Sequence, residues 1–232
     1  MRTFPNNSST GAAVEGQASA PRVLIVTAVA AERDAVLRGL QGSGRFHVVA
    51  AGAGTAAAAA GTAAALAAGS YGCVISAGIG GGFPGVASIG SLVVASEMIA
   101  ADLGAETPEG FRSAAELGFG SVTVPADSGT VQAVTAALAA AGLNVSTGPV
   151  LTVSTATGTA ETAAALAARH PGAAAEAMEG HGVAVAAVAL GLPVLELRAI
   201  SNAVGPRDRA AWKIGEALEA LEAAAAILLE VL

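Results

Sequence analysis

The stretch RVLIVTAVAAERDAVLRGL, residues 22–40, decides the fold class. Its first part, Arg22 to Ala28, is an apolar run rich in β-branched side chains, which is typical of a strand buried on both faces. The residues from Ala30 to Leu40 then predict a helix that ends at Gly42. A buried strand that leads directly into a helix is the building unit of a parallel sheet covered by helices.

The same alternation of strands and helices continues along the chain. Further strands are predicted at 46–51, 73–77, 90–100, 150–154 and 193–200. Further helices are predicted at 55–68, 130–141, 159–169, 179–190 and 208–232. We interpret residues 102–121 as a loop, because prolines and glycines interrupt them. The sequence therefore predicts one α/β domain over residues 21–232, with a largely parallel sheet between two layers of helices.

Composition limits the class of partner. The 232 residues contain 11 Lys and Arg against 18 Asp and Glu, which gives a formal net charge of −7. Such a chain is a poor partner for nucleic acid or anionic lipid, since both are bound by neutralising phosphates. No apolar stretch predicts a membrane span, and residues 1–20 predict a disordered tail rather than a signal peptide. We therefore expect a cytoplasmic protein with no membrane partner.

Cysteine and histidine residues predict neither a metal site nor a catalytic triad. The single cysteine, Cys73, excludes an internal disulfide and is predicted to be a buried, inert thiol. The three histidines, His47, His170 and His181, are dispersed along the chain, so no zinc-binding cluster is indicated. None of them pairs visibly with a Ser or Cys nucleophile.

Two glycine-rich segments raise the question of a nucleotide or phosphate site. Residues 52–57, GAGTAA, fit the dinucleotide pattern G-x-G-x-x-A, but no Asp or Glu occurs between Thr55 and Ser96 to hold a ribose. A tight turn between strand and helix is therefore favoured over an NAD site. Residues 76–83, SAGIGGGF, contain no Lys–Ser/Thr pair and are not a P-loop. We interpret them as a ligand-contacting loop after the third strand.

Polar residues follow several of the predicted strands. Glu32 follows the first strand, Ser154 follows a later one, and Ser201 and Asn202 follow the last. Ligands of α/β sheets bind at the carboxyl ends of strands, so we expect these side chains near one site. Taken singly, each has an ordinary explanation. Glu32 fits a solvated helix residue, Glu179 a first-turn carboxylate that complements a helix dipole, and Asn202 a turn residue.

The order of these features resembles the nucleoside phosphorylase and nucleosidase superfamily, over residues 22–232. The matching segments are TAVAAE at 27–32, AGAGT at 51–55, SAGIGGG at 76–82, AMEG at 177–180 and RAISN at 198–202. The resemblance implies a single nucleoside phosphorylase-like domain, whose mixed and partly barrel-like sheet is flanked by helices. Within the superfamily, the futalosine hydrolases are most similar, on ADLGAE at 101–106, MEG at 178–180, SNAVG at 201–205, RDR at 207–209 and Trp212.

The resemblance implies roles for named residues. Glu32 aligns with the glutamate that positions and deprotonates the attacking water, and Asn202 is the second implied catalytic residue. Glu179 aligns with a ribose-binding glutamate and Met178 with a methionine that packs against the sugar. The implied substrate-binding set is completed by Ile79, Gly80, Gly81, Ser154 and Ser201. We expect Glu32 and Asn202 to face each other across one cavity that holds sugar and base.

Asn202 occupies the position where adenine-specific nucleosidases of the superfamily have Asp. An Asp can protonate N7 of the leaving base, whereas an Asn can only accept a hydrogen bond from a protonated N7 and donate one to a 6-oxo group. This difference favours hypoxanthine over adenine as the leaving base. The implied function is hydrolysis of futalosine to hypoxanthine and dehypoxanthine futalosine in menaquinone biosynthesis, and an adenine-bearing counterpart stays open as the substrate.

Three alternative functions also stay open. A phosphorylase would need several arginines for its phosphate, and the first strand is not followed by the pattern G-D-P-x-R. Asn202 argues against a methylthioadenosine or adenosylhomocysteine nucleosidase, and Glu32 argues against a nucleoside-binding protein without catalysis. The resemblance implies no cofactor, no metal, a purine nucleoside substrate and a homo-oligomer, either a dimer or larger. Futalosine has a benzoate group, for which the candidate ligands are Arg112, Arg207, Arg209 and His181.

Overall fold

The computed structural model of the chain describes residues 22–232, so the predicted tail at 1–20 lies outside the described part. Ten strands and six α-helices occur there, in the order β1 Val23–Thr27, α1 Ala30–Gly39, β2 Phe46–Ala50, α2 Thr55–Ala68, β3 Cys73–Gly82, β4 Leu92–Ala100, β5 Gly104–Thr107, β6 Gly110–Ser113, β7 Thr123–Pro125, α3 Ser128–Ala140, β8 Val145–Thr152, α4 Ala160–Arg169, β9 Ala175–Ala177, α5 Gly180–Val188, β10 Val194–Ala203 and α6 Ile214–Val231. Across the same residues, no helix combines the length and the apolar character that a bilayer span requires.

Eight of the strands form one mixed sheet that is partly closed into a barrel. β1 pairs in parallel with β2 and β3, and β3 pairs in parallel with β10. From β10 the sheet continues through β4, β8 and β9 and returns to β3, so these five strands form a ring. β7 extends the sheet from β4 as an antiparallel neighbour. The predicted α/β fold with a mostly parallel, mixed and partly barrel-like sheet is confirmed.

Helices cover both faces of the sheet, which buries β1 completely. Val23 and Ile25 belong to the apolar cluster that includes residues of α1, α3 and α6. Leu24 and Val26 belong to the opposite cluster, with residues of α2 and α5. Successive side chains of a strand point to opposite faces, so an entirely apolar strand requires cover on both sides. The predicted strand buried on both faces is confirmed.

The interpretation of residues 78–82 as a loop is wrong, because β3 continues through them to Gly82. These residues pair along the full end of β10. A Cβ atom on Gly78 would lie only 2.6 Å from Glu32 Oε1 and 2.7 Å from Arg198 Nη1. Glycine is therefore needed within the strand, because other side chains occupy the space above it. The segment that the sequence predicts to contact a ligand is therefore strand backbone rather than a loop.

The interpretation of residues 102–121 as a loop is also wrong in part, because β5 and β6 form an antiparallel hairpin there. Its two strands have only four residues each and expose every second side chain. Such short, half-polar strands leave no hydrophobic period that a sequence pattern can detect. The turn between them includes Gly110, whose φ is +115°. This glycine was the one sequence feature that indicated a hairpin turn.

Several element boundaries differ from the prediction. β10 extends to Ala203 and β8 begins at Val145, and both extensions are fixed by pairing with distant strands. The last helix begins at Ile214 rather than at residue 208, and a short 3-10 helix, Arg209–Ala211, precedes it. Cys73 at the start of β3 is only partly buried, yet burial raises the pKa of its thiol to about 11. This pKa fits an inert thiol.

Candidate active site

A cavity of about 180 Å³ opens at the carboxyl ends of β1, β3 and β10. These three strands are parallel, so their carboxyl ends meet at one edge of the sheet. Glu32 and Asn202, which the sequence expects to share a cavity, both line this one. It is also lined by six further predicted site residues, Ile79, Gly80, Gly81, Met178, Glu179 and Ser201. Ser154 is the exception, since it lines a neighbouring cavity that shares only Met178 with the first.

Glu32 lies in the first turn of α1, and its side chain is 4% exposed. Its Oε2 accepts hydrogen bonds from the backbone N–H groups of Ala28 at 2.9 Å and Val29 at 3.2 Å. Its Oε1 accepts one from the N–H group of Ile79 in β3, at 2.9 Å. The carboxylate thus closes the start of the helix and is held in a fixed orientation at the cavity wall. The ordinary explanation, a solvated helix residue, is therefore wrong, because the side chain is buried at the cavity wall.

Arg198 is a buried cation behind the cavity, for which the sequence analysis proposed no role. Its guanidinium contacts Glu196 Oε1 at 2.7 Å, Glu179 Oε2 at 3.2 Å and Ser76 Oγ at 2.9 Å. Burial opposes its charge, but the carboxylates of Glu196, Glu179 and Glu32 together raise its pKa. A signal was available, since residues at positions i and i+2 of a strand lie on the same face and Glu196 and Arg198 have this spacing.

Glu179 lies at the start of α5 and is 7% exposed. Its Oε1 accepts a hydrogen bond from the N–H group of Gly54 at 3.1 Å, and its Oε2 contacts Arg198. Gly52 and Gly54 have φ values of +102° and +93°, which favour glycine. The segment therefore forms the predicted tight turn between strand and helix, and that turn also holds the Glu179 carboxylate.

Ser201 and Asn202 reach the same cavity because β10 is irregular there. Ile200 pairs with Gly80 and Asn202 with Gly81, so Ser201 is an extra residue in the strand. Such a bulge changes the direction of the side chains that follow it. Ser201 Oγ donates to Asn202 Oδ1 at 2.9 Å, while Asn202 Nδ2 donates to the carbonyl of Ala203 at 2.9 Å. One N–H and one lone pair of the amide remain for a ligand.

Glu176 and Thr157 also line the cavity, and neither was predicted as a site residue from the sequence. Glu176 is 7% exposed. Its Oε1 accepts a hydrogen bond from the Thr157 N–H group at 2.8 Å, and its Oε2 accepts one from Thr157 Oγ1. Burial raises the pKa of Glu176, against the effect of Thr157. The only signal was a single acidic residue within the alanine run of residues 173–177.

The cavity thus combines acceptors, an amide and no cationic lining. None of the residues within 22–232 that line it is Lys or Arg. The same part of the chain contains no group of three His, Cys, Asp or Glu side chains that could hold a metal ion. This arrangement can polarise a water molecule, bind neutral hydroxyl groups and hydrogen-bond a polar heterocycle.

Comparison with known proteins identifies the family. The model of the phosphorylase superfamily matches residues 17–232. A futalosine hydrolase of Streptomyces coelicolor is 53% identical over 230 residues, which cover 90% of this chain and 96% of that protein. A futalosine hydrolase of Acidothermus cellulolyticus is 50% identical over 218 residues, which cover 88% and 89%.

A solved structure supports the fold separately. The S-adenosylhomocysteine nucleosidase of Streptococcus pyogenes, in complex with 5-methylthiotubericidin, matches with a TM-score of 0.78. The match covers 92% of this chain and 97% of that one at 19% sequence identity, so it supports the fold alone. Family model, sequence relatives and fold agree with each other and with the order of motifs in the sequence. The chain therefore belongs to the phosphorylase superfamily and, within it, to the futalosine hydrolase family.

Proposed function

We propose that the chain hydrolyses the N-glycosidic bond of futalosine and releases hypoxanthine and dehypoxanthine futalosine, a step of menaquinone biosynthesis. The observation that supports this best is the presence of the Glu32 carboxylate and the Asn202 amide in one cavity of about 180 Å³. A carboxylate can activate water on one side of a sugar, while an amide can hold a leaving base on the other. The relatives from Streptomyces coelicolor and Acidothermus cellulolyticus are both named futalosine hydrolase.

In the proposed reaction, a water molecule beside Glu32 gives a proton to the carboxylate as its oxygen bonds to C1′ of the ribose. The bond from C1′ to N9 breaks and its electron pair stays with the base. The base takes up one proton from solvent, and Glu32 releases to solvent the proton that it accepted. Futalosine and one water thus become hypoxanthine and the ribosyl product. Asn202 Oδ1 accepts a hydrogen bond from protonated N7, and its free N–H donates to O6. Ser201 orients this amide.

The remaining predicted residues hold the sugar. Glu179 accepts hydrogen bonds from the 2′ and 3′ hydroxyl groups, and Arg198 fixes that carboxylate from behind. Met178 packs against the ribose. Ile79, Gly80 and Gly81 present strand backbone beside the water. Ser154 contacts the part of the substrate that extends beyond the sugar, because it lines the neighbouring cavity.

Glu176 adds a means of recognising the base. Hypoxanthine has an N–H donor at N1, and adenine has an acceptor there. Each carboxylate oxygen of Glu176 already accepts one hydrogen bond from Thr157 and keeps a further lone pair. A buried acceptor that meets N1–H favours a 6-oxopurine, since an adenine would leave two acceptors opposed. Futalosine is therefore preferred over its adenine-bearing counterpart.

Purified protein incubated with futalosine, followed by chromatography, tests the function. We expect hypoxanthine release at the same rate with and without phosphate or arsenate, because no Lys or Arg within the described residues lines the cavity. Dependence on phosphate would instead identify a phosphorylase. Release of adenine from methylthioadenosine or adenosylhomocysteine, without release of hypoxanthine from futalosine, would identify the other nucleosidase. Binding without any base release would leave only a nucleoside-binding protein.

We further propose a cytoplasmic homo-oligomer, a dimer or larger, with residues 21–232 as the catalytic domain after the tail at 1–20. Val185, Val188 and Leu190 are exposed by 44%, 46% and 61% at one end of α5. Water contact of such neighbouring apolar side chains is unfavourable, so a second copy is a suitable cover. Light scattering coupled to gel filtration measures the number of copies.

A further inference from the structure

A second cavity, of about 740 Å³, adjoins the proposed active site. Met178 lines both cavities. The second cavity is bounded by the first turn of α2, by α5 and by Ser154. Glu179 connects the two, because the carboxylate that lines the first cavity accepts its hydrogen bond from Gly54 of the second. A substituent of a bound nucleoside that passes Met178 therefore has space in the second cavity.

The first turn of α2 presents unused donors to this cavity. The helix has 14 residues, and its first helical hydrogen bond is donated by Ala58 to the carbonyl of Gly54. The N–H groups of Thr55, Ala56 and Ala57 thus have no helical acceptor. No acidic residue occupies the first turn, and Gly54 has no side chain to cap it. Within residues 22–232, the carboxylate of Glu179 meets this helix end at the N–H group of Gly54, so the next three N–H groups stay available to a ligand.

His181 provides an independent observation at the same place. It is 8% exposed and lines the second cavity. Its backbone N–H donates to Thr152 Oγ1 at 2.9 Å, but its imidazole has no hydrogen-bond partner among the residues that the structure describes. Burial lowers the pKa of the ring, so at neutral pH it offers one donor and one acceptor. A polar ring at a cavity wall without a protein partner is available to hydrogen-bond a ligand.

The other candidates for an anion lie elsewhere. Arg207 lies over the ring of Trp212, with 5.8 Å from its guanidinium carbon to the ring centre. Arg112 contacts the carbonyl of Glu116 in the β5–β6 region. Neither these two nor Arg209 lines the second cavity. Of the four residues considered from the sequence, only His181 lines the second cavity.

We infer that this cavity is a carboxylate subsite, in which the N–H groups of Thr55 to Ala57 and the imidazole of His181 bind the benzoate at the 5′ end of the substrate. The inference rests on the proposed function for the identity of the substrate. A helix N-terminus binds anions through its free N–H groups and its dipole. A neutral imidazole N–H adds one directed donor without requiring a buried cation.

The test compares futalosine with its methyl ester, which has the same shape but no negative charge. In the wild-type protein we expect the KM of the ester to exceed that of the acid by about tenfold, as for the loss of one charge-assisted hydrogen bond. In His181→Ala the KM of the acid rises towards that of the ester, and the KM of the ester changes by a smaller factor. His181→Gln keeps an N–H donor and restores part of the difference. His170→Ala removes a partly buried histidine that lines neither cavity and serves as the matched control.

A far-ultraviolet circular dichroism spectrum that matches the wild type demonstrates that His181→Ala is folded. Equal KM values for acid and ester in the wild type would overturn the inference. An equal loss on both substrates in His181→Ala would overturn it too, because that result indicates a structural role. Either outcome leaves the proposed function intact as long as the wild type releases hypoxanthine. Absence of release would reject the proposed function itself.

Discussion

At the residue scale, the carboxylate of Glu32 connects the start of α1 to β3 through three backbone N–H groups. A glutamine has one oxygen and one NH2 group in the same space, so it keeps part of this network and cannot accept a proton from water. We expect Glu32→Gln to fold and to lose at least about 100-fold in kcat, within the usual contribution of a general base. Single-turnover assays with futalosine measure this loss.

The NH2 group of the new glutamine must oppose at least one backbone N–H donor. A melting curve should therefore show a destabilisation of about 1–3 kcal/mol, the cost of a buried donor without an acceptor. Full turnover in a folded Glu32→Gln protein would remove this residue from the mechanism.

Glu176→Gln tests recognition of the base. The new amide can keep its oxygen on the Thr157 N–H group and donate its NH2 to Thr157 Oγ1, so the fold should tolerate the change. The glutamine side chain then faces N1–H of hypoxanthine either with its amide oxygen, which is a weaker acceptor than a carboxylate, or with its NH2 group, which is a donor. We expect kcat/KM for futalosine to fall by about 100-fold and the ratio of adenine-bearing to hypoxanthine-bearing substrate to rise, as for a buried unpaired group. An unchanged ratio would contradict this assignment.

The same residue predicts a pH dependence. Burial raises the pKa of Glu176 above its ordinary value of 4.5, against the hydrogen bonds from Thr157. As the pH falls through this raised pKa, the carboxylate takes up a proton and stops accepting N1–H. The kcat/KM for futalosine should therefore decrease on the acid side at a pH above 4.5, and Glu176→Gln should lack this limb.

The sequence predicted the residues that follow strands and missed those whose partners are distant in the chain. Glu32 and Asn202 were expected near one site because they follow strong apolar strands, and their roles were implied by the family resemblance. Arg198 was missed because its partners are distant in the chain. It donates a hydrogen bond to Ser76, 122 positions away, and forms an ion pair with Glu179. Glu176 faces Thr157 only because β8 and β9 are neighbours in the sheet. Such partners follow from strand pairing, which a single sequence does not specify.

At the element scale, β3 differs most from its prediction. A glycine run after an apolar strand has the composition of a loop, yet here it is the half of the strand that passes under the site. The reason lies in the side chains above it. Glu32 Oε1 and Arg198 Nη1 occupy the place of a Cβ on Gly78, while a Cβ on Gly80 would lie 2.9 Å from the backbone carbonyl oxygen of Glu176. The absence of a side chain on these glycines leaves the space that the side chains of the site occupy.

Gly78→Ala should therefore damage the site more than the fold. The added methyl group must displace the carboxylate of Glu32 or the guanidinium of Arg198, and such overpacking costs about 1–3 kcal/mol. We expect a lower melting temperature and a kcat reduced by about tenfold or more, since small displacements of reacting groups slow a reaction strongly. Gly215→Ala is the matched control. Gly215 lies in α6 with nothing within 4 Å of its added Cβ, so activity should be unchanged there. Equal kinetics of both variants would show that the space over Gly78 is not needed.

At the scale of the whole molecule, the ring β3–β10–β4–β8–β9 joins parts of the chain that are far apart in sequence. β10 pairs with both β3 and β4, and β9 pairs with both β8 and β3. The alternation of strands and helices indicated a mainly parallel sheet, but not that the sheet returns to its own third strand. Closure depends on β9, which has only three residues. A strand this short gives no periodic signal.

Because the ring is closed and the site lies at its edge, site and fold should unfold together. Trp212, the single tryptophan, lines the proposed active site, and the N–H group of the next residue, Lys213, donates to the carbonyl of Ser201 in β10 at 2.8 Å. Fluorescence of Trp212 therefore reports on the site, while far-ultraviolet circular dichroism reports on helices and strands. We expect both urea unfolding curves to coincide, as in an all-or-none transition. Saturating hypoxanthine should move both midpoints equally, since a ligand of the folded state stabilises all that unfolds with it. A fluorescence transition at lower urea than the dichroism transition would show instead that the edge with Trp212 opens independently of the ring.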